Sequence, residues 1–182
     1  MATRAAVKKS PASKTSGAAP AAARRQKDAC DLLDADHKAV KKMFEEYKAL
    51  TESRSRTVAS KKRELADQIC LELTVHATIE EEIFYPAARG AIKDNSLLNE
   101  ATVEHATAKD LIAQIREMDE TDDMFDAKVL VLGEYIDHHV KEERSEMFPK
   151  VRKTRLDLIA MRDELQSRKE ALMADMMSAD PA

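Results

Sequence analysis

HATIEEEIFYP, residues 76–86, and HVKEERSEMFP, residues 139–149, share one pattern: His-x-x-x-Glu-x-x-x-x-x-Pro, with an aromatic just before the proline. His76, Glu80 and Pro86 therefore recur as His139, Glu143 and Pro149 at identical spacing. Histidine and glutamate four residues apart fall on one face of a helix, about one turn from each other. Two such helices facing each other would present two imidazoles and two carboxylates to a common interior. That is the outline of a dinuclear metal site.

The rest of the chain is read around that pair. It has 182 residues, 35% of them charged, with 3 Gly and no Trp, a composition that favours long helices over sheets. No apolar run approaches the roughly 18 residues that span a bilayer. Cys30 and Cys70 lack metal-type spacing, and so few cysteines suit a reducing, cytoplasmic setting. Residues 1–27 carry seven Lys or Arg and no acid, and their Ala, Pro, Ser and Lys leave little to bury, so the segment reads as a disordered, solvated tail. A transit peptide, or a loose electrostatic tether to nucleic acid or an acidic surface, are the alternatives. The remainder has 23 Lys and Arg against 34 Asp and Glu, a net charge of −11. Such a body does not look like a specific nucleic-acid-binding domain.

From Asp28 the pattern turns helical: Leu33, His37, Val40, Phe44 and Tyr47 form one stripe. A second helix is expected over about 56–88, with Pro86 and Gly90 as stop signals, and a third over about 97–118, with Ser96 as N-cap. The fourth is expected over about 124–147, after the polar break at 119–123. Four amphipathic helices with short connections predict an all-α, up-down-up-down antiparallel four-helix bundle. A fifth segment, about 154–177, follows Val151 with Leu158, Leu165 and Leu172 at heptad spacing. It suits either packing along the bundle or pairing into a homodimer. The expected organisation is thus a tail (1–27), a metal-binding bundle (28–150) and a C-terminal helical extension (151–182).

His37, His76, His105 and His139 each lie in phase with the apolar stripe of their own helix. One histidine there is ordinarily a satisfied core residue. Four, one per helix, with Glu80 and Glu143 in phase, would cost several kcal/mol apiece to bury uncompensated, and cations supply the compensation. His138 cannot point inward together with His139, because successive helix positions differ by about 100°. The same spacing selects Glu80 over Glu81 and Glu82, and Glu143 over Glu142. Glu81 and Glu104 are candidate acceptors for the second N–H of a ligating imidazole. Imidazole and carboxylate donors without thiolate suit iron, then manganese, whereas zinc prefers a compact four-coordinate site.

Taken together, His37 after LLDAD, HATIEEEIFYP, EHATAKDL and HHVKEERSEMFPKV resemble the hemerythrin-like, HHE cation-binding family over about residues 28–150. The resemblance implies a four-helix bundle around two non-haem irons, oxo- or hydroxo-bridged, that meet O2 or its relatives. Its implied ligands are His37, His76, Glu80, His105, His139 and Glu143. One departure matters: oxygen carriers of the family have a second histidine four past the third-helix one, where this chain has Lys109, and an aspartate where it has Glu143. The expected protein is a soluble di-iron protein that binds or senses O2, peroxide or NO, or handles iron. The alternatives are an enzyme that decomposes peroxide or reduces NO, and a metal-gated signalling module. Lys109 is expected to turn away from the metal and leave one position open.

Overall fold

The computed structural model describes residues 25–179 except Arg54, Arg56 and Asp94; most of the expected basic tail, residues 1–24, lies outside the described residues. The elements are α1 (Ala29–Thr51), α2 (Val58–Ile79), a π-helical turn (Glu80–Phe84), α3 (Tyr85–Ala91), α4 (Ser96–Glu117), α5 (Phe125–Glu142), a second π-turn (Glu143–Met147), α6 (Phe148–Val151) and α7 (Leu158–Ala179). Each π-turn runs on into its short following helix, so α2 with α3 and α5 with α6 are two long rods. With α1 and α4 they make the expected antiparallel four-helix bundle. No helix among the described residues is long and apolar enough to cross a membrane.

Two local expectations are corrected. Neither Pro86 nor Gly90 ends the second rod, which continues to Ala91. Proline lacks an N–H and its ring crowds the carbonyl one turn back; the wider π winding just upstream relaxes that turn and lets the rod pass through. Pro149 sits equally close behind the second π-turn. At α4 the cap position falls to Asn95, and Ser96 is the first helical residue.

The apolar core comes in two parts, separated by a polar layer. Toward the loops that join α1 to α2 and α4 to α5 lie Val40, Tyr47, Ile69, Leu73, Ile112, Ile115, Phe125 and Leu132. Toward the other end lie Leu33, Val75, Ile79, Phe84, Leu98, Met147 and Phe148, joined by Met161, Leu165 and Leu172 of α7. The C-terminal helix therefore lays its heptad stripe along α1, α2 and the first π-turn.

The start of α1 is tied to the end of the α5–α6 rod. Asp28 and Asp31 form a reciprocal capping box, and Arg152 donates two hydrogen bonds to the Asp28 carboxylate, both 2.9 Å. Burial pushes the Asp28 carboxyl up, but the bonds from Arg152 and the Asp31 backbone outweigh it and bring it down to about 2. The stability this group contributes is fully present above its unfolded value, near 4, and is lost as pH falls through that value toward 2. Asp28→Ala is expected to cost about 2 kcal/mol at neutral pH, and the deficit should shrink in acid. Urea unfolding of both proteins at pH 7 and about pH 3 checks this; a pH-independent deficit would show that the charge contributes nothing.

Candidate metal centre

The polar layer is built from one inward position per rod, plus one turn more on each of the two rods that contain a π-turn. His37 of α1, His76 of α2, His105 of α4 and His139 of α5 are all buried, as are Glu80 and Glu143 at the starts of the π-turns. The structure thus brings together all six residues expected from the sequence.

Their donor atoms converge. The Nε2 atoms of His37 and His76 are 2.8 Å apart, and those of His105 and His139 are 3.2 Å apart. Two imidazole nitrogens approach so closely only when a proton or a cation lies between their lone pairs. Glu80 reaches across both pairs, with Oε1 3.3 Å from His76 Nε2 and Oε2 3.4 Å from His105 Nε2. Glu143 approaches both pairs from the opposite rod through a single oxygen, Oε2, at 3.2 Å from His37 Nε2 and 3.6 Å from His139 Nε2. Two clusters result, His37–His76–Glu80–Glu143 and Glu80–His105–His139, each with ligand atoms close enough to share one ion.

The electrostatics favour cations there. Burial pushes Glu80 up, but His76 and His105 more than reverse this and hold it well below the usual carboxylate range. Burial alone would lower His76, yet the Glu80 carboxylate, with Asp36 behind it, raises it to about 10. Glu80 Oε1 and Glu143 Oε2 are buried without a hydrogen-bond partner, a costly state for a carboxylate oxygen. Six convergent donors, two of them carboxyl groups that each carry an oxygen without a hydrogen-bond partner, fit a pair of divalent or trivalent cations.

Behind the imidazoles stand carboxylates that orient them. Glu81 Oε1 lies 3.0 Å from His105 Nδ1 and Glu104 Oε2 lies 2.8 Å from His139 Nδ1, as expected of ligating histidines. Asp36 stands behind His76, 3.6 Å from its Nδ1, and takes a 2.7 Å bond from Lys169 of α7. Asp36 and Lys169 were not foreseen, because nothing in the sequence tells which face of α1 the last helix covers. His138 points outward, between Glu104 and Glu142. The Lys109 ammonium binds both oxygens of Glu81, the carboxylate behind His105.

Tyr85 is a further residue at the centre that periodicity did not place. Its hydroxyl donates to Glu143 Oε1 at 2.9 Å and lies 3.2 Å from His105 Nε2, 3.4 Å from Glu80 Oε2 and 3.5 Å from His139 Nε2. In a regular helix, five residues past Glu80 would lie about 140° off the inner face. The π-turn cancels that rotation: the Tyr85 N–H bonds the Glu80 carbonyl, i to i+5, and stacks the two residues on one face. The repeated aromatic before proline was the signal, but it indicates nothing without the π winding.

On the other side of the imidazoles is a cavity of about 30 Å³ lined by Val40, Leu73, Ala108, Lys109, Ile112 and Ile136 together with the four histidines. It has room for a water or a diatomic molecule, and its walls are nearly all apolar.

Comparison with known proteins agrees with this geometry. A solved hemerythrin HHE cation-binding-domain protein of Mycobacterium kansasii, a homologue of Rv2633c, superposes with a TM-score of 0.67 at 20% identity, over 84% of this chain and 91% of that one. A protein of Nostoc sp. (strain PCC 7120) described as a DNA nickase is 30% identical over 122 residues, which are 67% of this chain and 33% of that protein. This chain therefore spans about a third of that relative's length. The model of the hemerythrin HHE cation-binding domain matches residues 28–151, from the capping aspartate of α1 to the end of α6, and on that match the chain belongs to the hemerythrin HHE cation-binding domain family.

Proposed function

We propose that the protein holds two non-haem irons and uses them to bind small oxygen- or nitrogen-containing ligands, namely O2, peroxide or NO. The observation that carries this reading is the pair of buried histidine clusters spanned by Glu80 and Glu143. His37, His76, Glu80 and Glu143 would hold one ion, and Glu80, His105 and His139 the other. Irons in such a site supply one-electron changes and open coordination positions. Manganese, with the same liking for oxygen and imidazole donors, is the closest competitor.

The protein's own part is positioning and exclusion. Glu81, Glu104 and Asp36 fix the imidazole rings, and the apolar cavity admits a small uncharged ligand while excluding bulk water. Lys109 stands where an oxygen carrier of the family has another imidazole. Its ammonium is held on Glu81 and its side chain lines the cavity beside His105, which has room for a small ligand. This observation favours a second reading, an enzyme that turns over peroxide. Cys30 and Cys70 are free and buried, in keeping with a cytoplasmic protein. DNA is not a substrate in this proposal, since a body with a net charge of −11 repels a phosphate backbone.

The test is metal content followed by peroxide consumption. Iron-loaded protein should contain two irons per chain and evolve oxygen from peroxide. Lys109→His should put an imidazole into the cavity and lower peroxide consumption several-fold with iron content unchanged. One zinc per chain, or no iron after reconstitution, would overturn the di-iron proposal. Equal consumption by variant and wild type would remove Lys109 from the argument and count against turnover at that position.

A further inference from the structure

The two halves of the site are not chemically equal. Position 85 follows Glu80 by five residues and position 148 follows Glu143 by five, each carried inward by its own π-turn, with the N–H of Tyr85 on the Glu80 carbonyl and that of Phe148 on the Glu143 carbonyl. The internal duplication therefore places one aromatic ring beside each half-site. Phe148 stacks flat on His37, ring centroids 6.0 Å apart and planes within 2°. Tyr85 lies against His105, centroids 5.3 Å apart, and sends its hydroxyl into the centre.

The donor sets differ in a complementary way. Four close-set residues, two imidazoles and two carboxylates, gather on the His37–His76 side, and three, two imidazoles and one carboxylate, on the His105–His139 side. The poorer side is the one the phenol reaches, within 3.2 Å of His105 Nε2 and 3.5 Å of His139 Nε2. As a mere core residue, Tyr85 would need one acceptor for its hydroxyl, and Glu143 Oε1 supplies it. Its oxygen instead sits within 3.5 Å of two imidazole nitrogens and two carboxylate oxygens, all of them donors that a cation would draw together.

We infer that Tyr85 is a metal ligand, giving its phenolate oxygen to the ion held by His105 and His139 and restoring a four-donor set on that side. The assignment rests on the dinuclear iron reading above. As the iron–oxygen bond forms, the phenol O–H bond breaks and the proton leaves to solvent, as protons do when a metal displaces them from its ligands. No change of oxidation state is involved. A ferric ion with a phenolate ligand is electronically distinct from one with only histidine and carboxylate. It also stays ferric more readily, because a hard anionic oxygen favours the higher charge. The other ion, against Phe148, receives no such donor.

The experiment is optical and vibrational. Protein loaded with two equivalents of ferrous iron and oxidised in air should hold two irons per chain and show a phenolate-to-iron charge-transfer band in the visible. Raman excitation into that band should enhance tyrosine ring modes, which shift when ring-deuterated tyrosine is incorporated. The chain has three tyrosines; Tyr47 is committed to Asp126 and Tyr135 is exposed, so the signature can come only from Tyr85 even without a variant. Tyr85→Phe should abolish the band and lower affinity for one of the two irons by roughly tenfold or more, in line with losses seen even for outer partners of a ligand. Two irons without the tyrosine signature, or a signature that persists in Tyr85→Phe, would overturn the assignment and leave the di-iron reading standing. A wild-type protein that holds no iron would overturn both.

Discussion

Glu80→Ala should yield a folded protein that retains essentially no iron. The Glu80 side chain is fully buried, and its two oxygens face different histidine pairs, at 3.3 Å from His76 and 3.4 Å from His105. One substitution therefore takes a carboxylate oxygen from both histidine clusters and removes the negative charge on which His76 depends for its raised pKa. Without that charge His76 can stay buried as a neutral ring, so the bundle survives where the metal does not. Glu143→Ala should behave alike, because it spans the same two pairs from the other rod. Glu81→Gln is the control: among the six site residues it touches only His105, at the far nitrogen, and should lower affinity about 10–100-fold while leaving two irons per chain at saturation. Elemental analysis after desalting, beside circular dichroism, reads all three variants. Equal iron retention in Glu80→Ala and Glu81→Gln would refute the bridging role.

Leu165→Ala should have the largest effect on stability. Leu165 is fully buried where α7 crosses the bundle, in one cluster with Leu33, Val75 and Phe84. Removing its side chain should cost about 3 kcal/mol, a drop of roughly 6–12 °C in thermal midpoint for a chain of this size. The loss should be the same at low and high protein concentration, since the partner surface is in the same chain. A midpoint that rises with concentration in the wild type, and no longer does so in the variant, would show instead that α7 is spent on a second copy. Metal content adds a further check, because Lys169 on the same helix holds Asp36 behind His76.

The inward-facing histidines were legible because periodicity states a phase, and phase holds along a regular helix. Four separate stripes, each containing one histidine, agreed with one another, and the choice of His139 over His138 followed from rotation alone. Legibility ended where the winding changed. Phase read through Glu80 or Glu143 goes astray within one turn, since a π-turn shifts everything downstream by about one residue. Tyr85 was lost there, and the proline and glycine beyond it were taken for the end of a helix that continues. The heptad in α7 was visible as a stripe, but a stripe names an apolar face and not its partner, so neither Lys169 nor Asp36 could be assigned. The cap at Asp28 was seen as a boundary, while its bond to Arg152, 124 residues away, depends on the closed bundle.

Each hairpin supplies two histidines and one glutamate, and each glutamate also reaches the other hairpin's histidines. Two identical hairpins associating about a two-fold axis would assemble the same six-donor site, with equivalent halves imposed by symmetry. A homodimer of that kind could only place tyrosine beside both ions or beside neither. Joining the hairpins into one chain lifts that restriction: position 85 and position 148 are encoded separately, and they differ by a single oxygen atom. Covalent linkage here supplies more than stability, because it permits the two half-sites of one symmetric scaffold to have different chemistries.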